Sequence, residues 1–140
     1  EGSDEAYGDG QLKWPVPTRS YISSYFGWRT LYGQPNYHKG IDIPGSAGTN
    51  IVAADAGKVL KVSKLTYGYG WHVIIDHGNG VSTLYAHCSR LDVSVGDYVE
   101  KGQVVAGIGT TGNSTGNHVH FEVRINGVQQ NPLNYVKQPS

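Results

Sequence analysis

The chain has 140 residues, room for one domain around a single core and little more. Its 11 lysines and arginines balance 11 aspartates and glutamates, so it lacks the basic excess that nucleic acid or an anionic membrane would require of it as main partner. Twenty glycines, 38% hydrophobic residues and no run of ~18 apolar residues predict short strands joined by tight turns and no membrane span.

Residues 1–13 read as a flexible linker, acidic and glycine-containing up to Gly10 and without periodicity. A chain that begins at Glu1 and contains no methionine is expected to be a processed or excised domain, with any signal peptide or anchor upstream. The domain is expected over residues 14–136, its start stiffened by Trp14-Pro15-Val16-Pro17, and residues 137–140 form a tail. Ser20 to Tyr37 is aromatic and turn-rich. Beyond His38, short strand follows short strand. Gly57 to Val62 is one; Val73 to Asp76 and Val81 to His87 flank His77-Gly78-Asn79-Gly80, whose Asn-Gly step predicts a hairpin. Val93 to Gly109 reads as another turn-separated pair, and His118 to Ile125 alternates most regularly. No stretch carries sustained helical periodicity or an internal repeat. The expected fold is mainly β, one compact antiparallel domain.

Four of the six histidines fall in patterns with chemical meaning. Alternation over His118 to Ile125 sends Val119, Phe121, Val123 and Ile125 to the core and His118, His120, Glu122 and Arg124 to the other face. Histidines at i and i+2 converge within reach of one metal, although such a row also fits an ordinary solvated face. Glu122 reads as a solvent ion pair with Arg124 in preference to a contact behind a metal ligand. His38 and Asp42 are both zinc-type donors in an irregular turn-and-strand segment, where a plain His–Asp hydrogen bond is the alternative. Tyr85-Ala86-His87 closes a strand, and parity puts Thr83, Tyr85 and His87 on one face. Together the segments offer two imidazoles and a carboxylate as ligands with two imidazoles to spare. A catalytic zinc keeps three protein ligands and one open position. The histidines disfavour calcium, because imidazole is a poor ligand for a hard cation. The single cysteine, Cys88, allows no internal disulfide, and alternation turns it away from His87 as a small buried thiol.

His38-x-x-x-Asp42, Tyr85-Ala86-His87 and His118-x-His120 resemble the motif set of lysostaphin/LytM-type metallopeptidases, metallopeptidase family 23. Phe26-Gly27-Trp28-Arg29, Ile74 to Gly80, Gly109-Thr110-Thr111-Gly112, Phe121-Glu122-Val123-Arg124 and Asn131-Pro132-Leu133 are similar to further signatures of that family, so the resemblance covers roughly residues 14 to 136. It implies a twisted antiparallel sheet forming a substrate groove walled by loops. It makes His38, Asp42 and His120 the ligands of one Zn2+, and His87 and His118 the catalytic histidines that do not touch the metal. Tyr32 matches a tyrosine that stabilises the transition state in relatives, with Tyr37 and Tyr85 as competitors, and Arg29 is a candidate substrate contact. The implied substrate is the peptide of bacterial peptidoglycan, which places the protein outside the cytoplasmic membrane, with a slight lean to D-amino-acid cross-links over glycine bridges.

The implied reaction is attack of a zinc-activated water on an amide, with His87 and His118 moving the proton and stabilising the oxyanion. One rival is a non-hydrolytic module of the same family that activates or scaffolds other wall enzymes; the complete ligand set favours the enzyme. A second rival rests on Val95 to Gln103, which resembles the hairpin of biotinyl and lipoyl carrier domains. It lacks a convincing tip lysine and leaves the histidines unexplained.

Overall fold

The computed structural model describes residues 7–140. Among them lie twelve strands: β1 (Gly27–Leu31), β2 (Gln34–His38), β3 (Ile41–Pro44), β4 (Asn50–Val52), β5 (Gly57–Lys64), β6 (Trp71–Gly78), β7 (Val81–Ala86), β8 (Cys88–Leu91), β9 (Tyr98–Val99), β10 (Val104–Ile108), β11 (His118–Ile125) and β12 (Val128–Gln130). A 3-10 turn at Pro132–Asn134 follows, started by Asn131, whose side chain accepts from the Leu133 amide. No described helix is long and apolar enough to cross a membrane. The expectation of a mainly β, antiparallel single domain holds.

A seven-stranded sheet runs β12-β11-β7-β6-β5-β9, with β3 sharing the β12 edge of β11. A three-stranded sheet, β4-β10-β8, and the β1-β2 hairpin complete the fold. The core forms where the two larger sheets face each other. Alternation points Val119, Phe121 and Val123 of β11, Tyr85 of β7 and Val73 and Ile75 of β6 inward, against Ile51, Val105 and Ile108 of the smaller sheet. Burying each such side chain stabilises the fold by about 1.5–3 kcal/mol. The opposite face of the large sheet carries a smaller cluster, Ile74, Leu84 and Ala86, with Leu60 and Tyr69 against it. Both faces of β6 and β7 are therefore covered, and their side chains are almost uniformly buried.

The β6–β7 hairpin forms as expected, and its turn is tighter than the sequence suggested. β6 continues through His77 and Gly78, leaving Asn79 and Gly80 as the loop with φ of 55° and 79°. Positive φ at both positions matches the twist of a two-residue hairpin. The stretch from Val93 to Gly109 departs from expectation, because its two strands do not pair with each other. β9 pairs with β5 in the large sheet, whereas β10 pairs with β4 and β8 in the small one. Of the expected linker, residues 1–6 lie outside the described residues. Its remainder is bonded to the domain: the Tyr7 amide donates to His77 O at 2.8 Å, the Gly10 amide to Asp55 Oδ2 at 3.0 Å, and Leu12 packs on the core.

Candidate metal centre

Antiparallel pairing of β3 on β11 sets Asp42 directly across from His120. His38 ends β2, and after two intervening residues the chain enters β3, which brings its imidazole over the same pair. The three donor atoms nearly touch. His120 Nδ1 lies 3.0 Å from Asp42 Oδ1, His38 Nε2 lies 3.2 Å from Asp42 Oδ1, and the two imidazole nitrogens are 3.1 Å apart. Donors at zinc–ligand distances of 2.0–2.2 Å in a tetrahedron stand about 3.4 Å from one another. The spacing of the three atoms is close to that, and they form the one group of this kind found among the described residues.

The far nitrogens of the two rings show that the near ones are ligand-ready. His38 Nδ1 donates to Tyr25 O at 3.0 Å, and His120 Nε2 donates to Glu122 Oε2 at 2.8 Å. With a metal bound, each bond fixes the tautomer whose free lone pair faces the metal beside Asp42. Burial alone would raise the Asp42 carboxyl, yet the hydrogen bonds from His120 and His38 outweigh it and hold the group well below the usual carboxylate range. Burial likewise opposes charge on His120, but Asp42 and Glu122 overcome it and push its pKa up to about 9. Both shifts describe a proton held among the three donors, in the place a metal cation would take. The donor set, two imidazoles and a carboxylate, suits zinc.

Glu122 corrects the expectation from alternation. It does share a face with His120, but it is fully buried, not solvated. Besides His120 it accepts from Tyr69 Oη at 2.5 Å and from Arg124 Nε at 3.0 Å. Burial would raise its pKa, and these partners, His120 foremost, bring it down to about 2. Tyr69 was not singled out from sequence. Its ring stacks on His120 with centroids 5.8 Å apart, and it lines the groove. The only sequence signal is the run Tyr67-Gly68-Tyr69-Gly70-Trp71, an aromatic loop between two strands.

His87 and His118 stand beside the three donors, their rings 4.9 Å apart. Parity fails at His87. β7 ends at Ala86, and Thr83 and Tyr85 point into the core, where a continued strand would have sent His87 too. Instead His87 takes φ of 64°, which turns its ring into the groove. Its amide donates to Tyr69 O at 2.8 Å and its Nδ1 to Thr111 O at 2.7 Å, so Nε2 is left as a free base. Burial is the chief cause that pushes the His87 pKa down to about 4, keeping the ring neutral near pH 7. His118 Nδ1 donates to Gly116 O at 2.9 Å, and its Nε2 lies 3.7 Å from Asp42 Oδ1.

The acceptor for His87 belongs to a clasp between two loops. Gly70 and Gly112, both at positive φ, meet backbone to backbone; a Cβ on Gly112 would lie 2.4 Å from the Gly70 nitrogen. Gly112→Ala is expected to cost about 1–3 kcal/mol for the strained backbone and to displace Thr111 O from His87. Urea denaturation should show the stability loss, and steady-state assay a reduced kcat with metal content unchanged.

Cys88 follows His87 and points the other way, into the core, fully buried with Sγ 3.5 Å from Tyr85 O. Burial pushes its thiol up to about 12, so no thiolate forms at neutral pH. Cys88→Ala is expected to retain nearly full hydrolysis while losing about 1 kcal/mol of stability. A hydrolysis assay paired with denaturation checks this, and complete loss of turnover in a folded, metal-loaded variant would point to covalent catalysis.

A groove of about 810 Å³ runs over the histidines. Tyr32 and Arg29, the two candidate contacts, both line it, with Tyr32 at the tip of the β1–β2 hairpin. The competing tyrosines do not. Tyr37 meets Phe26 and Trp28 edge to face, and Tyr85 lies in the core, its hydroxyl accepting from the Ala54 amide and bonded to Thr83.

The pattern of peptidase family M23 matches residues 36–132. The chain is 44% identical over 114 residues to the DD-carboxypeptidase/endopeptidase Mpg of Neisseria meningitidis, covering 80% of this chain and 26% of that protein. It is 36% identical over 125 residues to the murein hydrolase activator NlpD of Escherichia coli, covering 89% and 31%. Among solved structures, a zinc-containing peptidase from Vibrio cholerae superposes with a TM-score of 0.81 at 31% identity, covering 86% of this chain and 39% of that one. The chain thus spans between a quarter and a third of the length of the curated relatives it matches.

Proposed function

This chain belongs to peptidase family M23, and from that premise we propose that it is a zinc-dependent endopeptidase that hydrolyses peptide bonds of bacterial peptidoglycan outside the cytoplasmic membrane. The observation that carries the reading is the completeness of the site: three mutually adjacent donors with tautomers set for a metal, and two further histidines whose Nδ1 atoms are held by backbone carbonyls. An activator without hydrolytic activity, the reading that the NlpD likeness raises, has no need of both sets.

In this reading His38, Asp42 and His120 hold the zinc. When bound, zinc supplies a Lewis acid that polarises a carbonyl and lowers the pKa of water from 15.7 to ~7. His87, neutral and with Nε2 free, takes the proton of the attacking water and returns it to the leaving nitrogen as the C–N bond breaks. His118, held through Nδ1 by Gly116 O, presents Nε2 to the developing oxyanion and donates to it in its protonated form. Glu122, fixed by Tyr69 and Arg124, keeps His120 in its ligating tautomer. Thr111 O fixes the tautomer of His87 that leaves Nε2 free to take a proton. Tyr32, which lines the groove, serves as a second oxyanion donor.

The likeness to Mpg supports D-amino-acid bonds over glycine bridges as the substrate. Digestion of purified peptidoglycan of both cross-link types, with and without a chelator, tests the reading. The expected result is fragments from the D-amino-acid cross-linked wall that vanish with chelator and return with zinc. An unchanged wall in the presence of zinc-loaded protein would favour the activator.

A further inference from the structure

Arg29 is the one cation among the residues that line the groove, and Asp42 the one acid. Its guanidinium is held in place before any substrate arrives. Pairing of β1 with β2 sets Arg29 opposite Asn36, and Nε donates to Asn36 Oδ1 at 2.9 Å. Nη1 donates to Ser24 Oγ at 2.7 Å, and Ser24 is itself tied to β3 by a bridge to Asp42. Nη2 has no hydrogen-bond partner among the described residues, and the side chain remains 30% exposed. Nη1 also forms an ion pair with Asp42 Oδ2 at 3.8 Å, longer than a hydrogen bond, so the donors of Nη2 are left for a further anion. A guanidinium with two donors anchored and one nitrogen free, on the wall of a groove, is pre-organised for an anion.

The anion that fits is set by distance. Nη1 of Arg29 lies 3.8 Å from Asp42 Oδ2, beside the three donors. An anionic group on Arg29 therefore sits close to a carbonyl presented to His38, Asp42 and His120, within reach of the residue adjoining it. Peptidoglycan offers such a group in one class of bond. Where a D-amino acid supplies the scissile nitrogen, at the end of a stem peptide or in a direct cross-link, its α-carboxylate is free. In a glycine bridge the corresponding carboxyl is already engaged in the next amide. Gly112, Asn113, Ser114 and Thr115, which also line the groove, are uncharged and add no repulsion.

We infer that Arg29 binds the free α-carboxylate of the residue on the leaving side of the scissile bond and so selects D,D-type bonds over glycyl bonds. The inference rests on the peptidase reading for its substrate and on the Arg29 geometry for its specificity. A charge-assisted pair of this kind is worth about 10- to 100-fold in affinity.

The test compares a stem pentapeptide ending in D-Ala-D-Ala as free acid and as C-terminal carboxamide, by steady-state kinetics and by calorimetric binding to the zinc-loaded chain. The wild type should favour the acid by about 10- to 100-fold, chiefly through KM or Kd. Arg29→Gln should abolish the preference while metal content stays as in wild type. Equal handling of acid and amide by the wild type, or a preference that survives Arg29→Gln, overturns the inference. Calorimetry separates this from failure of the peptidase reading. A chain that cleaves neither peptide yet binds the acid through Arg29 would retain the specificity and lose the enzyme assignment, whereas one that cleaves both equally would keep the enzyme and lose the role of Arg29.

Discussion

His120→Ala is expected to remove zinc and hydrolysis together. The substitution leaves His38 and Asp42 as the only ligands, one short of the three that catalytic zinc sites use. It also strips Glu122 of its closest histidine partner, leaving a carboxylate that is fully buried with only Tyr69, Arg124 and a long contact to Gln129. A buried charge with a partner removed is costly, so some loss of stability should accompany the loss of metal. Metal content by mass spectrometry, hydrolysis of peptidoglycan and circular dichroism should be measured on the same preparation. Chelated wild type is the control that separates metal loss from misfolding, and it should match the variant in activity while keeping its fold. A folded His120→Ala chain that still holds one zinc would overturn the ligand assignment.

His87→Ala should divide what His120→Ala removes at once. The ring of His87 touches none of the three donors by hydrogen bond, and its anchor is the carbonyl of Thr111. Its loss therefore leaves the metal ligands in place and takes away the group placed to accept a proton. Zinc content is expected to remain at one per chain, while kcat falls by about 10²–10⁴-fold, the usual range for lost general acid–base assistance. KM should change little, because the ring acts on the attacking water and not on binding. Metal loss equal to that of His120→Ala would contradict the division of roles. An undiminished kcat would transfer the proton acceptor to His118, the other imidazole in the groove with its Nδ1 held by a carbonyl.

Much of the site was legible in the chain because it sits on regular strand. The period of two over His118 to Ile125 separates Val119, Phe121 and Val123, all fully buried in the core, from His118 and His120 in the groove. Asn79-Gly80 announced its hairpin through the positive φ that both residues adopt. His38, Asp42, His87, His118 and His120 could all be named from motif and chemistry, and the fold brings the five side chains together around one groove.

Tertiary structure decided what local periodicity cannot carry. A single left-handed residue at position 87 reverses the direction that alternation assigns, and the bonds to Tyr69 O and Thr111 O hold it there from two loops distant in sequence. Whether Glu122 faces water or protein depends on Tyr69 closing over it from 53 residues away. The split of β9 and β10 between two sheets depends likewise on which edges β5, β4 and β8 leave open. The sequence by itself determined which side chains alternate and which residues can donate to a metal, because those properties reside in single residues and their immediate neighbours. Which carboxylate is buried, which imidazole is a base and which guanidinium is left with a free nitrogen belong to contacts between distant segments, and only the folded chain makes them.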